Sequence, residues 1–130
     1  MLKDINSRDD IKILVDAFYE KIKKDQTIGL IFTEKLEIDW EKHLPIMYNF
    51  WDNILFYSGA YTGNPMVLHQ HIHEKIGLTK GDFDKWIEIF IATTDELFAG
   101  DYAETIKQRA RSIATVMQLK ILHNHDFTKK

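Results

Sequence analysis

Chemistry in this chain starts with His69, an imidazole on an apolar helix face behind an Asn64-Pro65 helix start. At 100° per residue and with His69 at zero, Met66 falls at about +60°, Ile72 at about −60° and Ile76 at about −20°, so the ring points where the core should be. His73, at about +40°, shares that face, and His71, at about 200°, points away. A neutral imidazole on an apolar face needs a hydrogen-bond partner or ligates a metal. Elsewhere the long helices carry Tyr19, His43 and Trp86, polar-tipped rings on or beside apolar stripes. Tyr19 lies about 100° beyond Phe18 at the edge of its stripe and could reach a pocket with its hydroxyl.

The elements that must position these residues follow from period and punctuation. Ser7 and Asp10 open a helix over 8–25, with Ile11, Leu14, Val15, Phe18 and Ile22 as its stripe. Leu30-Ile31-Phe32 forms an apolar corner after Gly29. The next stripe is Leu44, Met47, Tyr48, Trp51, Ile54 and Leu55, widened by Phe50. Pro45 means that this helix either begins near Lys42 or kinks there, leaving His43 at an irregular entrance where a side chain can swing as a gate. Asn64 and Pro65 start a short helix that Gly77 ends. Thr79 with Asp82 caps a helix striped by Phe83, Trp86, Ile87, Phe90, Thr94 and Leu97, and Gly100 closes it. A last helix opens at Asp101 and carries Ala103, Ile106, Ala110, Ile113, Ala114, Met117 and Ile121. Residues 123–130 form a fraying tail. With no strand-like alternation and no internal repeat, the architecture is all-α.

The 130 residues, 45% hydrophobic and 28% charged with six Gly and two Pro, suit one folded domain able to bury a core and a bound group. A net charge of −3 gives no basic field for nucleic acid and no cluster for a membrane surface, which leaves small ligands as the favoured partners. The absence of cysteine excludes disulfides, thiolate ligands and attachment through a Cys-x-x-Cys-His motif. The charged start Met1-Leu2-Lys3-Asp4 and the lack of a long apolar run predict neither a signal peptide nor a membrane anchor, so cytoplasmic residence is expected.

In order along the chain stand FYEKI at 18–22, IGLIF at 28–32, DWEKHLPIMYNFW at 39–51, YTGNPMVLH at 61–69, FDKWIEIF at 83–90 and QRARSIATVMQLKI at 108–121. Together these segments resemble the globin superfamily, and most closely the group III truncated haemoglobins of bacteria. The brevity of the early helices fits the truncated branch rather than an eight-helix globin. The resemblance implies a single domain over 1–130 with the truncated globin fold, a two-over-two helical sandwich around haem b held without covalent attachment.

By position, His69 matches the family's proximal iron ligand, and Tyr19, His43 and Trp86 match its polar distal residues. Phe32 matches the corner phenylalanine on the haem, and Met47 and Phe50 match apolar wall positions. His73 takes a structural or propionate-neighbouring role. Haem iron in globins holds one axial imidazole and leaves the opposite face to a diatomic ligand, whose retention depends on the polarity there. Dioxygen gathers negative charge when bound, so O–H and N–H donors from Tyr19 and Trp86 would slow its release. A haem-binding globin retaining dioxygen tightly is therefore expected, with nitric oxide detoxification or peroxide chemistry as activities it could support given an unidentified reductase. A monomer is expected. Trp40, Trp51 and Phe90 read as packing, and His123 and His125, like His71, as solvated.

Two other classes fit part of the pattern. His43, His69 and His73 could ligate a divalent ion in a helical-bundle hydrolase, since His69 and His73 share a face at i, i+4; against it, no carboxylate points inward beside them and Glu74 points obliquely away. A globin-like sensor or interaction domain without ligand chemistry would have little use for the Tyr, His and Trp donors.

Overall fold

The computed structural model describes residues 2–26, 28–29, 40–57 and 79–119. Four helices stand among them: α1 (Arg8–Lys24), α2 (Trp40–Phe56), α3 (Lys80–Leu97) and α4 (Asp101–Met117). No strand occurs among the described residues. The expected Asn64–Gly77 helix with His69, His71 and His73, the corner residue Phe32 and the tail at 123–130 lie outside them.

Local chemistry sets the helix ends. The Ser7 hydroxyl accepts from the Asp10 N–H at 3.4 Å, satisfying one of the first-turn donors. Asp10 does not return the bond as a capping box would; its carboxylate accepts from the Asn6 N–H at 2.9 Å and from Lys3 Nζ at 2.5 Å. Thr79 and Asp82 do form the reciprocal box, at 3.2 and 2.9 Å. At the start of α4, Gly100 carries φ of 146° and no side-chain cap of its own. The cap comes from the far end of the chain: Asp4 accepts from the Tyr102 and Ala103 N–H groups at 2.9 and 2.8 Å. α2 is already helical at Trp40 and runs through Pro45, so the helix begins ahead of Lys42 and the proline occupies its interior, where it cannot donate to the Glu41 carbonyl.

α1 packs on α2 and α3, and α4 packs on α3 and α2, so the pair α1–α2 lies over the pair α3–α4. Between the layers sit Ile11, Leu14, Val15, Phe18 and Ile22 of α1, Phe50, Trp51 and Leu55 of α2, Phe90 of α3, and Ile106 and Ala110 of α4, all buried. Phe90 is the hub. Its ring stacks on Trp51 at 4.8 Å and on Trp86 at 5.8 Å, and meets Phe18 edge-on at 5.2 Å. Such offset and edge-to-face pairs are favoured by the ring quadrupole beyond their burial of apolar area. The buried Thr93 and Thr94 leave no orphan hydroxyl, donating to the carbonyls of Ile89 and Phe90 at 2.7 and 2.9 Å.

Two polar clasps fix α2 against α1. Arg8 donates to Asn49 at 2.5 Å and stands 3.6 Å from Asp52, and the Tyr48 hydroxyl donates to Asp16. Between α3 and α4, the largely buried Lys107 bridges Asp95 at 2.6 Å and Glu104 at 3.0 Å. No described helix is long and apolar enough to cross a membrane.

Candidate functional site

The last turns of α1 and the first turn of α2 meet where the sequence concentrates polar-tipped rings. On α1, Tyr19 and Lys23 share a face at i, i+4, and on α2 Trp40 and His43 share one at i, i+3. The corner after α1 is tight: the Asp25 carboxylate accepts from the Ile28 N–H at 3.0 Å, and a Cβ on Gly29 would lie 2.8 Å from the carbonyl oxygens of Ile22 and Lys23. Only glycine lets the chain fold back this closely on the end of the helix.

Tyr19 is buried, 6% exposed, and its hydroxyl shares a hydrogen bond with His43 Nε2 at 3.2 Å. Burial raises the Tyr19 pKa above its ordinary value, so the phenol stays protonated and able to donate across the physiological range. The three rings of Tyr19, Trp40 and His43 meet mutually edge-to-face, with centroids 5.2 Å apart for Tyr19 and Trp40, 5.4 Å for Tyr19 and His43, and 5.6 Å for Trp40 and His43. Lys23 Nζ lies 4.3 Å from the Trp40 centroid, well inside cation–π range.

Trp86 belongs to the same region through Phe18. The Phe18 ring meets Tyr19 at 5.0 Å and Trp86 at 5.7 Å, edge-on in both cases. Phe50 is buried with its ring 5.0 Å from Trp51, and Met47 packs half-buried against the core. Of the candidate site residues, Tyr19 and His43 thus touch directly, Trp86 joins them through one shared ring, and Met47 and Phe50 lie along α2. Phe32, His69 and His73 lie outside the described residues.

Trp40, read from the sequence as packing, is half-buried and contacts both members of the Tyr19–His43 pair. Its companion Lys23 carried no expectation. The available signal was the coincidence of Tyr19 with Lys23 at one helix end and Trp40 with His43 at the next helix start. Among the described residues no group of three or more His, Asp or Glu side chains is gathered to hold a metal ion.

One pair of helices lying over a second, with the polar rings gathered at one end of the first pair, is compatible with a truncated globin fold. The comparisons agree. The chain is 28% identical over 115 residues to the group 3 truncated hemoglobin of Campylobacter jejuni, an alignment covering 86% of this chain and 88% of that protein. It superposes on the crystal structure of group III truncated hemoglobin from Campylobacter jejuni with a TM-score of 0.81 at 27% identity, covering 93% of this chain and 95% of the other. No protein-family model matches the chain. The resemblance to group III truncated haemoglobins carried by the sequence segments therefore extends to the whole fold.

Proposed function

We propose that this chain is a haem-binding truncated haemoglobin that binds dioxygen and related diatomic ligands and releases dioxygen slowly. The single observation that carries the reading is the buried Tyr19 hydroxyl bonded to His43 Nε2 in a fold shared with a group III truncated hemoglobin. The residues fit a haem. A flat apolar macrocycle needs hydrophobic walls with a few polar groups on the ligand side, and α2 supplies Met47, Phe50 and His43 while α1 supplies Tyr19.

When bound, haem b would supply an iron able to bind a diatomic ligand. His69 would hold the iron, and a hydrogen bond from its second ring nitrogen to a carbonyl or carboxylate would orient the ring. Phe32, Met47 and Phe50 would wall the group and His73 would stand beside it.

The chain's own contribution on the ligand side is donors. The Tyr19 phenol stays protonated because burial disfavours its anion, and the Trp86 indole N–H can only donate. His43 decides how Tyr19 is used. With Nε2 protonated, His43 donates to the Tyr19 oxygen and leaves the phenolic hydrogen for a ligand; with Nε2 bare, the imidazole takes that hydrogen itself. Hydrogen bonds to a charge-bearing ligand contribute about 1.5–3 kcal/mol each, and about 1.4 kcal/mol is tenfold in affinity. Two donors therefore favour retention, a property of a scavenger, sensor or redox catalyst more than of a carrier. Nitric oxide detoxification or peroxide turnover would follow where a separate reductase supplies electrons, and the reading carries with it a cytoplasmic monomer.

Both comparisons favour this reading over a three-histidine hydrolase. Visible spectra of the purified protein in ferric, ferrous and carbon monoxide forms test it. A Soret band that shifts on ferrous carbon monoxide binding is expected; a colourless protein that takes up no added haem would refute it.

A further inference from the structure

We propose that Trp40, steadied by Lys23, is a positioning residue that latches His43 against Tyr19 and so sets the rate at which small ligands pass the His43 gate. The inference rests on the haem-globin reading for its consequence on ligand traffic, but the latch itself is a property of the chain.

The geometry makes Trp40 part of any movement of His43. The imidazole is held by its Nε2 bond to the Tyr19 hydroxyl at 3.2 Å and by the edge-to-face contact with the Trp40 indole, 5.6 Å and 83°. Trp40 also meets the Tyr19 ring at 5.2 Å, so the three rings close a triangle, and rotation of His43 away from Tyr19 breaks two of its sides. Trp40 stands at the start of α2 as described, facing the end of α1. The Lys23 ammonium sits 4.3 Å over the indole ring and 3.5 Å from Glu20, which ties the start of α2 to the end of α1. His43 itself precedes Pro45, which removes one helical hydrogen bond from that turn.

A latch and a donor have different kinetic signatures. Removing a donor weakens the bound state and raises the release rate. Removing a latch lowers the barrier in both directions, so association and release both rise, whatever the loosened His43 does to Tyr19 as a donor. For Trp40→Ala we expect both rate constants for carbon monoxide and dioxygen to rise about tenfold, an aromatic contact and its covering area being lost. Trp40→Phe keeps an edge for His43 and a face for Lys23 and should restore both rates to within about twofold. Lys23→Met should raise both rates about two- to threefold.

The experiment pairs flash photolysis of the haem-loaded variants with nitrogen-15 spectra of the His43 ring recorded with and without haem. The expected result is a His43 signal that moves toward free imidazole in Trp40→Ala and returns in Trp40→Phe, with the paired rise in rates. A His43 signal unchanged in Trp40→Ala would overturn the latch, as would a rise in release alone. A chain that binds no haem but shows the ring response would leave the latch standing and remove the globin reading.

Discussion

His43 on α2 and Tyr19 on α1 share one hydrogen bond, 3.2 Å from imidazole Nε2 to phenolic oxygen, and a phenol has only one hydrogen to give. The two residues are therefore a single functional unit whose outward character depends on which of them donates to the other. A buried, protonated tyrosine bonded to an imidazole is a donor whose availability is set by its neighbour rather than by its own ionisation.

Tyr19→Phe keeps the ring contacts with Phe18, Trp40 and His43 and removes only the hydroxyl. We expect haem retention with dioxygen release faster by about tenfold or more, the loss of one charge-assisted hydrogen bond, and a smaller rise in association, the hydroxyl being also one of the two holds on His43. Stopped-flow dissociation checks it. Unchanged release would remove Tyr19 from ligand retention, and an equal rise in association would make its role steric. Trp86→Phe, which preserves a ring on Phe18 and Phe90, should show the same direction.

The helices were legible because their determinants are local. Ser7 and Thr79 with Asp82 mark starts through the first-turn N–H groups they satisfy, Gly100 marks the break between the last two helices, and the stripes through Phe18, Phe90 and Ile106 match buried faces. Tyr19, His43 and Trp86 stood out one by one in the sequence but not as neighbours. Tyr19 at the edge of its stripe could be packing or donor, and only the meeting of α1 with α2 gives its hydroxyl His43 as partner. Pro45 left two readings open, a start near Lys42 or a kink, because sequence gives a proline's local cost alone; the structure has the helix from Trp40 with the proline inside it. The Asp4 cap on α4 and the Lys23–Trp40 contact join residues far apart in the chain, and no local rule encodes such pairs.

Tyr48 offers a titration. Burial first, and the hydrogen-bonded carboxylate of Asp16 second, push its phenol up to about 12. Because the folded pKa is raised, the stabilisation is fully present below the unfolded value of about 10 and is lost as pH rises through 12. Asp16→Asn removes the charge and keeps an acceptor oxygen, so the Tyr48 pKa should fall part way and remain above the ordinary value. Phenolate absorbance titrated in both proteins reads this; identical curves would show that Asp16 does not act on Tyr48 in solution.

Asp4 sets an acid limit. Burial alone would raise its pKa, but the Tyr102, Ala103 and Ile5 N–H groups and the charge of Lys3 outweigh it and hold the carboxyl below its ordinary value. A depressed folded pKa stabilises above the unfolded value, about 3.9, and that contribution disappears as pH falls through the folded one. At neutral pH Asp4→Ala should cost about 0.5–2 kcal/mol, the range for a lost helix cap. In acid the wild-type cap weakens too, so the gap between the two proteins in urea unfolding should narrow below pH of about 4. A gap constant from neutral to acid pH would contradict the cap.

Gly100 and Asp4 should prove coupled. A Cβ on Gly100 would lie 2.5 Å from the Asp4 Cγ and 2.7 Å from its Cβ and Oδ2, and the backbone holds φ at 146°, a region that strains any L side chain. Gly100→Ala therefore adds two costs, the backbone strain, about 1–3 kcal/mol, and displacement of the carboxylate from the Tyr102 and Ala103 N–H groups. The second cost requires Asp4 to be present. In an Asp4→Ala background the carboxylate is already gone and only the Cβ contact and the strain remain, so Gly100→Ala should destabilise less than it does in the wild type. Urea unfolding of the two single variants and the double variant measures the difference. Effects that add to within about 0.5 kcal/mol would mark the sites as independent, and glycine at this position would then answer to backbone conformation alone.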